Sequence, residues 1–225
     1  MRLPCAHESP ARPNSPPATA PGLPYDAVMP IDPADHELID QVRHQLGRAP
    51  WRLVGVAVAC PAGHPAVVLT YPLQRHRGQW MPFPTTHWLT CQRLVKAVSR
   101  LERGGGIRRA ADWLQAQPDR LSAMHLAHEQ AIDIRWALLE QSDRERVHEH
   151  GLTQAICHRG IGGTRNFDAV KCLHAHFAFH LAHPTVLGAW IESQAELQLC
   201  ENRHSDSGEA VEVVPPEPYT TGPLP

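Results

Sequence analysis

The sequence predicts an α+β fold: a small antiparallel sheet with a β-hairpin, packed by several helices and flanked by disordered tails. Three observations carry that expectation. Two apolar, β-branched runs, 52–59 and 66–71, are separated by the turn-forming stretch Cys60-Pro-Ala-Gly-His-Pro65, the signature of a hairpin. From Thr90 onward the apolar residues recur at helical rather than alternating spacing. Strands followed by a run of helices suit α+β better than a wound parallel sheet.

Residues 1–31 carry Pro10, Pro13, Pro16, Pro17, Pro21 and Pro24 with no apolar period, and read as a disordered tail. A single domain is expected over residues 32–200. Asp32-Pro33 supplies a helix cap with proline at the first helical position; Ile39, Val42 and Leu46 form the stripe and Gly47 the stop. The hairpin follows, then a polar loop over 74–84 and a short strand over 87–90. Thr90 caps a helix from Cys91 to Arg103, buried through Leu94, Val98 and Leu101 and ended by Gly104-Gly-Gly106. A short helix is expected over 107–117. A long one runs from Pro118 to about Gln141, with Leu121, Met124, His128, Ile132 and Leu139 near one face. Residues 143–166 are mixed and polar. A last main helix is expected over 167–183 and a further short one over 185–199. Residues 201–225, acidic and Pro-rich, form the second tail.

The 225 residues carry a net charge of −2, so no global basic field favours nucleic acid. No run of about 18 apolar residues exists, and no apolar stretch follows Arg2, so neither a membrane span nor a secretory leader is expected. The protein is expected in the cytoplasm. There the six cysteines fit metal binding, reactivity or simple burial better than disulfides. Cys5 and Cys200 lie in or beside the tails and are set aside. Sixteen histidines direct attention to metal ligation and acid–base chemistry.

Two kinds of chemistry fit these residues. The first is a zinc site. Cys60 lies in a Cys-Pro-X-Gly turn like half a zinc knuckle, Cys91 opens a helix, and Cys172 and His176 share a face at i,i+4 spacing. Cys60, Cys91, Cys172 and His176 make a three-cysteine, one-histidine set of soft ligands suited to zinc, structural or hydrolytic. The second is a thiol enzyme. Gly162, Gly163, Arg165 and Lys171 flank the expected helix start and suit a small anionic ligand, a phosphate or carboxylate. Cys172 would be the nucleophile, His128 its base, Glu129 the orienting carboxylate, and Arg135 a substrate clamp. The bland alternative is an interaction module whose cysteines only pack, with His128 as a core histidine and Glu129 and Arg135 on a solvated face.

Several motifs occur in a characteristic order: Gln45-Leu-Gly-Arg48, Cys60-Pro-Ala-Gly63, Pro82-Phe-Pro-Thr85 with Trp88-Leu-Thr-Cys91, Ala127-His-Glu129 with Arg135, Gly162-Gly163, then Val170-Lys-Cys-Leu-His174 and His180-Leu-Ala182. Over about residues 40–185 the chain resembles the bacterial domain of unknown function family number 501. Gln92 stands where proline is common after Cys91, and the loop before Lys171 is a variant form. The resemblance brings no activity with it, but it draws His174 into view. On a helix already begun at residue 167, His174 would point away from Cys172 and toward the core with Phe177 and Leu181.

Overall fold

The β-branched runs build one antiparallel sheet, and its two faces decide where the helices pack. The computed structural model describes residues 29–30, 36–50 and 52–194. The sheet has the order β1-β2-β3-β6, from β1 (Met29–Pro30), β2 (Leu53–Ala59), β3 (Pro65–Thr70) and β6 (His87–Leu89), with every pairing antiparallel. The hairpin is as the turn residues predict: Cys60 N–H donates to the His64 carbonyl at 2.9 Å and Gly63 N–H to the Cys60 carbonyl at 2.8 Å. β3 is buried along its whole length because both faces are covered. Val68 packs with Val56 and Val42, the last from α1 (His36–Leu46), whereas Val67 faces the main helical core.

That core is built by α2 (Gln92–Arg103), α3 (Gly106–Gln115), α4 (Pro118–Ala137), α7 (Leu173–Ala182) and α8 (Val186–Gln194). Leu94, Val98 and Leu101 of α2 meet Leu173 and Phe177 of α7, and Leu114 and Leu187 complete the cluster. Burying each such side chain contributes about 1.5–3 kcal/mol against its exposed state. A second cluster gathers Leu73, Ile132, Trp136, Val147 and Ile156. Tyr71 ties it together, donating its hydroxyl to Asp143 Oδ2 at 2.7 Å and accepting Glu140 N–H at 3.0 Å.

The architecture is α+β, with differences in detail. The expected loop over 74–84 contains a second hairpin, β4 (Leu73–His76) with β5 (Gln79–Pro82), turned by Arg77 and Gly78 at φ 49° and 82°. The long helix stops at Ala137, and the polar stretch beyond it holds α5 (Gln141–Glu149), α6 (Thr153–Cys157) and a single 3-10 turn at Ile161–Gly163. Met29–Pro30, inside the expected tail, form an edge strand on β2. The Asp32-Pro33 cap, the C-terminal tail and the last residues of the expected 185–199 helix lie outside the described residues.

α7 is shorter than its periodicity predicts. It begins at Leu173, six residues later than the periodicity suggests. Thr164 and Asn166 hold the chain in a turn instead: Thr164 Oγ1 donates to the Asn166 carbonyl at 2.9 Å, and Asn166 Oδ1 accepts Asp168 N–H at 3.0 Å. Side-chain bonds of this kind compete with helix formation. Cys172 is thereby left extended, at φ −156° and ψ 117°, as the N-cap of α7.

Candidate functional site

Packing of α2 against α7 assembles the site. Val95, Ser99 and Glu102 recur at i, i+4 and i+7 on α2 and so share one face, which lies against the start of α7. The Glu102 Oε1 oxygen accepts Leu173 N–H at 2.6 Å, satisfying one of the donors that a helix start leaves free. The same oxygen is 3.2 Å from His174 Nδ1. His174 Nε2 donates to the Val95 carbonyl at 3.2 Å and lies 3.1 Å from Ser99 Oγ. Cys172, extended rather than helical, turns its sulfur into this group. One ligand atom each from Glu102, Cys172 and His174 lies within 4.8 Å of the other two, and all three residues are half-buried.

The electrostatics follow from those contacts. A hydrogen bond to Cys172 is the largest influence on His174 and pushes it up to about 9, against the opposing effect of burial; the Glu102 charge and the Val95 carbonyl add to the rise. Below that value the imidazole holds a proton between two acceptors. Because Nε2–H is committed to Val95, deprotonation frees the Nδ1 lone pair, which faces Cys172 and Glu102. A carboxylate, a sulfur and an imidazole nitrogen converging in this way can hold a divalent metal or activate the thiol.

The sequence-predicted residues are distributed as follows. Cys60 and Cys91 are free thiols buried in the main core beside Leu89 and Leu94, and neither belongs to the Glu102–Cys172–His174 group. Cys91, not Thr90, is the N-cap of α2, which starts one residue later than expected, and its side chain makes no capping hydrogen bond. His176 shares a helix with Cys172 but turns inward, its ring 5.4 Å from that of His128. The four soft ligands expected for zinc therefore do not form one group: two pack as small hydrophobes and the histidine faces another histidine. His128 is fully buried, accepts Ile161 N–H on Nδ1 at 2.9 Å, and packs on Phe167. Burial pushes it down to about 4. Neither His128 nor Glu129, half-buried beside it on α4, is in the Cys172 group. Gly162 and Gly163 adopt left-handed φ of 68° and 73°, a conformation that favours glycine. A Cβ built on Gly162 would lie 3.9 Å from Cys172 Cβ, and one on Gly163 would lie 3.9 Å from Lys171 Nζ. Lys171 and Arg165 are exposed. Cys157 is buried in the second cluster beside Ile156 and is not in the Glu102–Cys172–His174 group.

A family model described as "Protein of unknown function (DUF501)" matches residues 56–193, more than half of the chain. The chain belongs to this family. No curated protein and no solved structure matches it. The DUF501 region contains every residue of the Glu102–Cys172–His174 group.

Two members of that group were not legible from spacing. Glu102 sits in the last turn of α2, where the helix dipole disfavours a carboxylate. An acidic residue there is a signal that some donor outside the helix holds it, and Leu173 N–H and His174 do so. His174 is two residues from Cys172, which on a regular helix separates the side chains by about 200°. Only the late start of α7 brings them together. Arg135 also differs from its solvated-face reading: it is buried in the interior.

Proposed function

We propose that this DUF501 protein binds zinc through Glu102, Cys172 and His174, with a fourth position open to water, and that the site serves hydrolytic rather than purely structural chemistry. The observation that carries the reading is the convergence of those three ligand atoms within 4.8 Å. The donor set is of borderline softness, which suits zinc better than magnesium or calcium. The second shell supports it as well. Metal-bound histidine commonly donates its other ring N–H to a carbonyl, and His174 has that partner in Val95 at 3.2 Å. Three protein ligands with a vacancy are the pattern of catalytic zinc, whereas structural sites close with four. A zinc ion here would acidify a bound water, and the half-buried state of all three ligands leaves the group within reach of solvent.

Cobalt(II) titration of the metal-free full chain tests this. Saturable binding, with a sulfur-to-metal charge-transfer band that disappears in Cys172→Ser and a visible spectrum altered in His174→Gln, is expected. Absence of saturable cobalt or zinc binding by the wild-type chain refutes it.

A thiol-dependent activity on an anionic substrate is the second reading, favoured by the juxtaposition of Cys172 and His174 at the start of α7. In that case His174, not His128, takes the proton, and Glu102 orients it. Rapid iodoacetamide alkylation of Cys172 at neutral pH, slowed in His174→Gln, in a protein that binds no metal would favour it.

A further inference from the structure

Arg135 projects from α4 into the interior and is 1% exposed. A buried charge is costly unless it is paired. Its Nη1 donates to two neutral acceptors, the carbonyls of Ile156 at 2.8 Å and Arg159 at 2.6 Å, while Nε has no partner. Among the described residues no carboxylate forms an ion pair with it. Burial alone pushes it down, to about 9, so it remains a cation at neutral pH.

Arg135 lines a small cavity, partly open to solvent, between α4, α7, the 3-10 turn and the segment entering β6. His87 lines the same cavity. It is 4% exposed, its Nδ1 lies 3.2 Å from Thr86 Oγ1, and its Nε2 is buried without a partner. Thr85, Thr86 and Gly162 complete the polar wall, and Ala131 and Ala175 leave the space open. A water molecule could occupy the cavity but would leave the guanidinium charge uncompensated. The exposed Lys171 and Arg165 have solvent to stabilise them and are not needed here.

We propose that this cavity binds the oxyanion group of a small molecule, a carboxylate or a phosphate, with Arg135 as the principal counter-charge and His87 and Thr86 as hydrogen-bonding partners. A guanidinium fork suits two oxygens of one anion. The cavity is far smaller than a whole-ligand pocket and half open, so only the charged end of the ligand enters and the remainder lies at the mouth. This proposal does not rest on metal binding at Cys172.

The test uses the full-length wild-type chain with sodium phosphate and sodium acetate as probes, against sodium chloride at constant ionic strength, read by calorimetric titration and thermal shift. Saturable binding of either probe is expected, weakened at least about tenfold in Arg135→Gln because a charge-assisted pair is lost. Ala131→Leu fills the cavity while keeping the charge, and should weaken binding equally in a protein whose near-ultraviolet circular dichroism is native. It carries the test if Arg135→Gln does not fold. Lys171→Ala should retain the wild-type affinity. No saturable response to either probe overturns the proposal. So does binding that survives Ala131→Leu and is lost in Lys171→Ala, which would place the anion on the outer surface.

Discussion

Lowering the pH from 7 to 5 should destabilise this protein steeply, because several of its histidines are buried as neutral rings. Burial pushes His87 and His176 down to about 3 and His128 down to about 4. Neighbouring charges add to this: His183 and Arg135 on His87, His128 on His176, and His125 and Arg135 on His128, where a hydrogen bond to the Phe167 backbone opposes part of the fall. Unfolded, each ring would titrate near the ordinary histidine value of about 6.5. Between the folded and unfolded values the unfolded chain binds more protons, so stability rises with pH and is lost as pH falls below about 6.5. Each unit within that window is worth about 1.4 kcal/mol per histidine. From pH 7 to pH 5 one such histidine accounts for about 2 kcal/mol, and the three together for ~6 kcal/mol. Domains of this kind have roughly 5–15 kcal/mol in total, so the loss is a large fraction of the whole. Urea unfolding followed by tryptophan fluorescence at pH 7, 6 and 5 measures it. The variant His176→Leu, which removes one titrating ring, should lower the slope of stability against pH by about 1.4 kcal/mol per unit. A denaturation midpoint that is the same at pH 7 and pH 5 would refute the reasoning.

Other perturbations have equally definite outcomes. His174 is pushed up to about 9, so zinc or cobalt must displace its proton; metal affinity should rise with pH through neutrality and level off near that value, with proton release measurable in weakly buffered titrations. A Cβ on Gly160 would collide with the His128 ring, so Gly160→Ala should cost about 1–3 kcal/mol in urea unfolding through overpacking. Phe177→Ala empties the centre of the main core and should cost about 3–5 kcal/mol by the same measurement.

Much of the fold was legible because its signals are local. The Cys60–Pro65 turn between two β-branched runs specifies the hairpin, and the stripe Leu94, Val98 and Leu101 specifies α2 with its buried face. The second hairpin was hidden because β4 and β5 are short and carry polar residues such as Gln74, Arg75 and Gln79, whose alternation is weak. The site was half legible. Cys172 stood out from its helix-start position and its motif, but its partners depend on where α7 begins. That start is set by bonds remote in sequence: the Thr164–Asn166 turn and the Glu102 carboxylate on Leu173 N–H. Periodicity cannot report a cap supplied from 71 residues away. Cys60 and Cys91 misled for the converse reason. Cysteine is both a good metal ligand and a good core residue, and composition does not separate the two roles.

The central claim is that Cys172 and His174, with Glu102, hold the metal, while Cys60 and Cys91 only pack. Elemental mass spectrometry on untagged full-length protein tests it most directly, with wild type beside Cys172→Ser, His174→Gln, Cys60→Ser and Cys91→Ser. Zinc near one equivalent per chain in wild type, lost in the first two variants and retained in the last two, is the predicted result. Metal-free wild type, or zinc that survives Cys172→Ser and disappears in Cys60→Ser or Cys91→Ser, would contradict it.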